Sequence, residues 1–280
     1  MNKLSNFMRV PICAGTFYPS TKEELEHELS KLFDVETEYY PNAKGIIVPH
    51  AGYLYSGKVA AKVYKAISKI NKKRFVILGV DHYNYGVIAT SLQEWVTPLG
   101  RAEIDVDFVN KITKEQAIVV DEAAMEKEHS IEVQLPFLQY IFNNFKFVPI
   151  QLPFIDYTNI KYIADILTDR DTFYIASSDF THYGPDFRFV PEESLYNPPK
   201  YVEKLDKKIV EIIKEFDSER FFNYIVKNDL TVCGFVAITL LLEIIKKLNA
   251  KKIEEIAYDN SFSVSRDSLH IVGYCGLLIY

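Results

Sequence analysis

The sequence predicts a single α/β domain, an αβα sandwich around a central sheet that is mostly parallel or mixed. Short β-branched runs bounded by Gly, Pro, Ser or Asp are typical of fully buried strands, and they occur at 45–48, 74–80 and 172–177. Segments with helical periodicity separate these runs, and such alternation usually builds a sheet covered by helices on both faces. The sequence has no internal repeat, low-complexity tract or clear linker, so residues 1–280 are expected to form one domain.

The first half of the chain is predicted to alternate strands and helices after an irregular lead-in. Ser20-Thr21 followed by Glu23-Glu24 is a helix-start signal, and an apolar stripe at helical spacing follows it. Pro136 lies inside a helical pattern, where it either kinks the helix or marks an irregular first turn. The predicted elements are the lead-in 1–18, helix 20–33, strand 45–48, helix 56–70, strand 74–80, strand 86–90, helix 107–113, strand 117–120 and helix 128–142.

The second half continues the pattern and ends in two strands. Four prolines between Tyr183 and Pro199 indicate a long loop or lid. Cys233-Gly234 precedes an apolar helix, and the last two strands would form a hairpin that turns at 265–268. The predicted elements are strand 147–152, helix 157–167, strand 172–177, loop 183–199, helices 202–214, 218–226 and 236–248, and strands 253–263 and 270–280.

Composition indicates a globular intracellular protein. The net charge of −6 comes from 32 basic and 38 acidic residues without a long basic stretch, so we expect no nucleic-acid partner. Three cysteines without C-x-x-C spacing, and no signal peptide, favour a reducing, cytoplasmic location. The apolar stretches are too short or too interrupted to span a bilayer, so we expect no membrane partner.

Three predicted strands are each followed within a few residues by a histidine, namely His50, His82 and His182. A lone histidine after a strand is usually structural. The carboxyl ends of parallel strands, however, lie along one edge of the sheet, so these histidines would meet in one crevice. The natural content of such a crevice is a metal ion.

Three further residues are candidates for the same crevice. Asp179 is close to His182 in sequence, and a carboxylate can orient an imidazole and raise its basicity. Cys233 is either an inert core thiol or, at a helix start, a thiol of lowered pKa. His129 is either a fourth member of the site or a helix-capping residue.

Four motifs together resemble the Memo family, whose microbial members are also labelled protein B of the AmmeMemoRadiSam system. They are Val-Pro-His-Ala-Gly-Tyr at 48–53, Glu-His-Ser-Ile-Glu-Val-Gln-Leu-Pro-Phe-Leu-Gln at 128–139, Ser-Ser-Asp-Phe-Thr-His-Tyr at 177–183 and Cys-Gly at 233–234. The resemblance covers almost the whole chain. It implies a fold similar to class III extradiol ring-cleaving dioxygenases, which use non-haem iron(II).

The resemblance also implies a set of site residues. His50, His82 and Cys233 correspond to the family's metal ligands, and Asp179 and His182 would line the same pocket. His182 takes the place of the dioxygenases' acid–base histidine. A thiolate replaces their carboxylate ligand, and this softer donor shifts preference toward zinc or copper. The implied cofactor is therefore a divalent metal ion, either iron, copper or zinc.

Two departures from the family's usual sequence affect the expected pocket. His82 follows Gly-Val-Asp, so Asp81 adds a carboxylate beside the metal. Phe235-Val236-Ala237 follow Cys233-Gly234 and make the mouth of the pocket more apolar, which weakens the case for an anionic substrate.

Three functions remain open from the sequence. The first is a metal-dependent oxidoreductase of the dioxygenase type, with His182 moving a proton. The second is a metal-dependent hydrolase or lyase, with His182 or Asp179 as base. The third is a non-catalytic module with a vestigial site that binds a peptide or phosphopeptide through an aromatic crevice. The expected ligand is thus a small molecule or a peptide. The crevice would contain the following tyrosines, which could instead simply pack: Tyr53, Tyr55, Tyr83, Tyr85 and Tyr183.

Overall fold

The computed structural model describes residues 8–280, so the first seven residues of the predicted lead-in lie outside the described residues. Residues 8–18 are irregular, as predicted, apart from isolated bridges. The strands are β1 (Gly45–Val48), β2 (Arg74–Val80), β3 (Ala89–Thr90), β4 (Trp95–Thr97), β5 (Gly100–Ile104), β6 (Val119–Val120), β7 (Lys146–Leu152), β8 (Thr172–Ser177), β9 (His182–Tyr183), β10 (Ile253–Asn260) and β11 (Ile271–Ile279). The helices are α1 (Lys22–Leu32), α2 (Tyr53–Ile67), α3 (Val106–Ile112), α4 (Glu122–Glu126), α5 (His129–Glu132), α6 (Leu135–Ile141), α7 (Tyr157–Leu167), α8 (Pro198–Lys214), α9 (Ser218–Lys227), α10 (Phe235–Lys247) and α11 (Phe262–Ser265).

A mixed sheet forms the centre of the molecule, in the order β10-β11-β1-β8-β2-β7-β3-β6. The four central strands β1, β8, β2 and β7 run parallel, whereas β11 pairs antiparallel with both β1 and β10. Every residue of β1 and β8 is buried, as expected for strands covered on both faces. The predicted αβα sandwich with a mostly parallel or mixed sheet is confirmed.

That residues 1–280 form one domain stays a prediction. One main hydrophobic core runs through the described residues from Cys13 to Ile279. The fully buried central strands and the apolar helix α10 supply much of it. Among residues 8–280, each helix is either too short or too polar to cross a lipid bilayer.

Several boundaries differ from the sequence prediction for local reasons. The predicted helix 128–142 is two helices, α5 and α6, and Pro136 lies in the first turn of α6, where its missing N–H is not needed. Helix α8 begins earlier than predicted, with Pro198 as its first residue, for the same reason. The predicted strands 86–90 and 117–120 shorten to β3 and β6, and the hairpin β4–β5 and helix α4 were not predicted.

Candidate metal centre

The candidate centre lies at the carboxyl ends of the parallel strands β1, β2 and β8. These ends lead directly to His50, His82 and the segment that carries Asp179 and His182. Helix α5 comes from elsewhere in the chain and lies against β2 because Gly79 has no side chain. A Cβ atom on Gly79 would lie 2.4 Å from Cγ1 of Ile131. The close contact brings His129 to the same edge of the sheet.

Three imidazole rings converge at this edge. His50, His82 and His129 each offer one ring nitrogen, and these nitrogens all lie within 4.8 Å of one another. The ring of His50 meets the other two edge-on, with centroids 5.3 and 5.4 Å away. His82 and His129 stack at 4.4 Å. The predicted convergence of His50 and His82 therefore occurs, and His129 joins them.

A hydrogen-bond network fixes the tautomer of His50. The hydroxyl of Ser177 donates to the backbone oxygen of Ser130 at 2.6 Å and accepts from Nε2 of Gln134 at 2.9 Å. Because that hydroxyl has no second proton, Nδ1 of His50, at 3.1 Å, must donate to it. Nε2 of His50 is therefore the unprotonated nitrogen, and its lone pair can bind a metal. Burial lowers the pKa of His50 to about 3, so the ring is neutral at pH 7.

Glu128 fixes His82 in the same way. This fully buried carboxylate accepts the backbone N–H of His82 at 3.1 Å and lies 3.0 Å from its Nδ1. Burial acts to raise the pKa of Glu128, but the hydrogen bonds from His82 and Ser130 help to lower it to about 2. The ionised carboxylate accepts from Nδ1, so Nε2 of His82 is the nitrogen available to a metal.

His129 is a member of the cluster and not a helix cap. Glu128 is the N-cap of α5, because its carboxylate accepts the backbone N–H of Ser130 at 2.7 Å. The ring of His129 lies against Phe17, with centroids 4.9 Å apart. Burial, followed by the charges of His50 and His82, lowers its pKa to about 4.

Cys233 contacts the cluster through His50. Its Sγ lies 3.3 Å from Nε2 of His50 and 3.6 Å from the backbone oxygen of Asp179. The group of three mutually close donors contains His129 and not this sulfur, so the ligand set of His50, His82 and Cys233 stays a prediction. Of the two alternatives left open for Cys233, the lowered thiol pKa is wrong for the metal-free protein: burial and the charge of Asp179 raise the pKa of Cys233, because desolvation of the thiolate outweighs the helix N-terminus.

Asp179 and His182 lie at the same edge, but they are not oriented by each other. The carboxylate of Asp179 accepts the backbone N–H of His50 at 2.8 Å, and burial raises its pKa. Nδ1 of His182 lies 2.9 Å from the backbone oxygens of both Phe180 and Thr231. Carbonyl oxygens only accept, so Nδ1 carries a proton and Nε2 is the basic nitrogen.

The remaining predicted pocket residues have local structural partners. The carboxylate of Asp81 accepts the backbone N–H groups of Tyr85 and Gly86, at 3.0 and 2.8 Å. Tyr53 is buried, and its hydroxyl donates to the backbone oxygen of Val133. Of the tyrosines in the predicted aromatic crevice, Tyr53 and Tyr183 are buried, while Tyr55, Tyr83 and Tyr85 are exposed.

Two further buried residues, Gln134 and Glu132, support the site, and no role was predicted for either. Gln134 accepts from Tyr64 and donates to the backbone oxygen of Pro49 as well as to Ser177, which sets the direction of its amide. Glu132 accepts from Arg9, Cys13 and Tyr18 and so ties the N-terminal segment to α5. The sequence signals were the motif at 128–139 and the alternation of polar residues at 128, 130, 132 and 134 within it.

Comparison with known proteins places these features in a family. The family model described as "Memo-like protein" matches residues 9–278. A "MEMO1 family protein" of Methanosarcina barkeri is 35% identical over 280 residues, covering 97% of this chain and 100% of that protein. A "MEMO1 family protein" of Aquifex aeolicus is 36% identical over 278 residues, and the alignment covers 97% of this chain and 98% of that protein.

Proposed function

Because the chain belongs to the Memo family, we propose that it is a metal-dependent oxidoreductase of the dioxygenase type, with a non-haem divalent metal centre at His50, His82 and Cys233. The observation that carries the proposal is the convergence of ring nitrogens of His50, His82 and His129 within 4.8 Å of one another, with the sulfur of Cys233 3.3 Å from Nε2 of His50. A small molecule is the proposed ligand.

The spacing of His50 and Cys233 suits two ligands of one divalent transition metal. Two protein ligands of one zinc ion, at about 2.0 Å for nitrogen and about 2.3 Å for sulfur, lie roughly 3 to 4 Å from each other. The 3.3 Å between Nε2 of His50 and Sγ of Cys233 matches this spacing. His50 and His82 both expose Nε2 because their Nδ1 atoms are held by Ser177 and Glu128. His129 would be a further nitrogen within reach of the ion.

The side chains around the donors define what each would do. A bound ion would act as a Lewis acid toward substrate oxygens. His182, with Nδ1 held by two carbonyls, presents Nε2 to take up or return a proton. Asp179 holds the backbone of His50 in position, and Glu128 keeps His82 in its metal-binding tautomer.

A zinc-dependent hydrolase or lyase is the second candidate, because imidazole and thiolate donors without a carboxylate are a set that zinc accepts readily. His182 or Asp179 would then be the base. Metal identity separates the two candidates, since the first requires iron or copper for activity and the second does not.

The test is anaerobic loading of metal-free protein with Fe(II), Cu(II) or Zn(II), followed by a panel of catechols under oxygen and a panel of esters and amides. We expect oxygen consumption with a redox metal, lost in His182→Gln and unchanged in His27→Gln, which alters an exposed histidine. Turnover of the second panel with zinc alone would favour the hydrolase. No turnover in either panel, with no retained metal, would refute both.

A further inference from the structure

Three of the four histidines at the edge of the sheet have Nδ1 held by a hydrogen bond to the protein. They are His50, His82 and His182, whose Nδ1 atoms lie 3.1, 3.0 and 2.9 Å from their acceptors. His129 is the exception, because neither of its ring nitrogens makes a hydrogen bond within residues 8–280. The carboxylate of Glu128 lies 3.8 Å from its Nδ1, which is too far for one.

Packing fixes the position of the His129 ring without fixing its proton. The ring stacks on His82, with centroids 4.4 Å apart, and lies 4.9 Å from the ring of Phe17. The side chain of His129 is 20% exposed, compared with 3% for His50. The ring is therefore accessible to a molecule that enters the cluster, and either of its nitrogens can carry the proton.

The hydrogen-bond partners separate His129 from the proposed metal ligands. A histidine that binds a metal almost always donates its other ring N–H to an acceptor, which fixes both the ring and its tautomer. The protein supplies such acceptors to His50 and His82 and none to His129. A nitrogen of His129 nevertheless lies within 4.8 Å of theirs, so it is next to any molecule bound by an ion that those two hold.

We propose that His129 does not hold the ion but binds the substrate, through a hydrogen bond between its ring and a hydroxyl group of that molecule. The inference deepens the proposed function and rests on it for the presence of the ion. A neutral imidazole can accept from a hydroxyl and can also donate to its ionised form. Because no protein group selects the tautomer, His129 can do either, and the substrate class is a small molecule with an ionisable hydroxyl.

Nitrogen-15 NMR of the histidine rings, in metal-free and zinc-loaded protein, tests this assignment without requiring turnover. We expect Nε2 of His50 and Nε2 of His82 to take the chemical shift of a zinc-bound nitrogen. Both nitrogens of His129 should keep the shifts of a free imidazole. A zinc-bound shift at His129 overturns the inference and leaves the metal centre in place. No zinc-bound shift at any histidine overturns the proposed metal centre and the inference with it.

Variants separate contact with the ion from contact with the molecule that the ion binds. His129→Leu removes the ring, and His27→Leu changes an exposed histidine as the control. In equilibrium dialysis, both should bind zinc like the parent. Azide serves as the probe anion in visible absorption titrations of the Co(II)-loaded proteins. It should bind His129→Leu about 10- to 100-fold more weakly than the parent, because a hydrogen bond to a charged group is lost. His129→Gln, which keeps an N–H donor, should recover part of the azide affinity.

Two results with the variants would overturn the inference. The first is loss of zinc binding in His129→Leu that is folded by circular dichroism, which would make the ring a metal ligand. The second is equal azide affinity in His129→Leu and the parent, which would show that the ring does not contact the bound molecule. If His129→Leu does not fold, the NMR spectra of the parent still decide between the two roles.

Discussion

Asp206 offers a direct test of the buried polar structure behind the candidate site. Its fully buried carboxylate accepts the backbone N–H of Thr181 at 3.1 Å, the Thr181 hydroxyl at 2.6 Å and the Tyr258 hydroxyl at 2.9 Å. Thr181 lies between Asp179 and His182, so Asp206 holds the segment that carries both. In Asp206→Asn, the amide oxygen still accepts from Thr181 and the amide nitrogen faces Tyr258, but the side chain no longer ionises.

The expected effect depends on pH in a defined direction. Burial raises the pKa of Asp206 from its ordinary 3.8 to about 7, although hydrogen bonds from Thr181 and Tyr258 act to lower it. Between pH 4 and pH 7 the folded protein keeps a proton that the unfolded chain has released. The protonated carboxyl of Asp206 therefore contributes its full stabilisation below about pH 4, and this stabilisation is lost as pH rises to about 7. A difference of about three pH units corresponds to about 4 kcal/mol.

Urea unfolding of metal-free wild-type protein and Asp206→Asn, from pH 4.5 to pH 8, measures this effect. The two should have similar free energies of unfolding at pH 4.5. Above pH 4.5 the free energy of unfolding of the variant should increase steadily relative to that of wild type. At pH 8 it should exceed the wild-type value by up to about 4 kcal/mol. Asp171→Asn, which changes an exposed aspartate, should follow wild type throughout. A difference between Asp206→Asn and wild type that does not change with pH would refute the reasoning.

Three further predictions concern the metal and the packing around Asp206. Glu128→Gln should weaken zinc binding by about 10- to 100-fold in equilibrium dialysis, because the carboxylate that orients His82 is lost. The control variant Glu126→Gln should bind zinc like wild type. Zinc binding at pH 8 should release one proton more in wild type than in Cys233→Ser, because burial keeps the pKa of the metal-free thiol high and the thiol must lose its proton to bind zinc. Calorimetry in two buffers of different ionisation enthalpy measures the number of protons released. Gly273→Ala should lower the free energy of unfolding by about 1–3 kcal/mol, while Gly52→Ala leaves it nearly unchanged.

Each of these predictions has a contradicting result. Unchanged zinc affinity in Glu128→Gln would show that the carboxylate does not control His82. Equal proton release in wild type and Cys233→Ser would show that the thiol of Cys233 is not a zinc ligand. The prediction for Gly273 rests on a Cβ atom that would lie 1.8 Å from the carboxylate of Asp206, whereas at Gly52 the nearest atom is 3.6 Å away. Equal stability of the two alanine variants would contradict it.

The buried centre of the fold was predictable because its strands have a strong local signal. β1 and β8 have the predicted boundaries, since each is a run of buried residues with a turn residue at its end. The hairpin β4–β5 was missed because Arg101 and Glu103 leave β5 partly exposed and without an apolar run. The break between α5 and α6 lies next to Pro136, where the sequence indicated a kink or an irregular first turn without deciding between the two.

The positions of site residues were predictable where they follow from the order of the parallel strands. They were not predictable where they depend on tertiary packing or on desolvation. His50 and His82 converge because parallel strands end at one edge, and this follows from their positions alone. His129 reaches the same point through the packing of α5 on Gly79, which requires the tertiary structure. The sequence left the state of Cys233 open because it shows a helix start but not the surrounding desolvation, which raises the pKa of the thiol.

The metal content of protein purified without chelators tests the central claim most directly. Elemental analysis should find one divalent transition-metal ion per chain in the parent and in His27→Ala. It should find none in the His50→Ala/His82→Ala double variant, with folding confirmed by circular dichroism. Equal metal content in the parent and the double variant would contradict the account, because the ion would then be held by other residues.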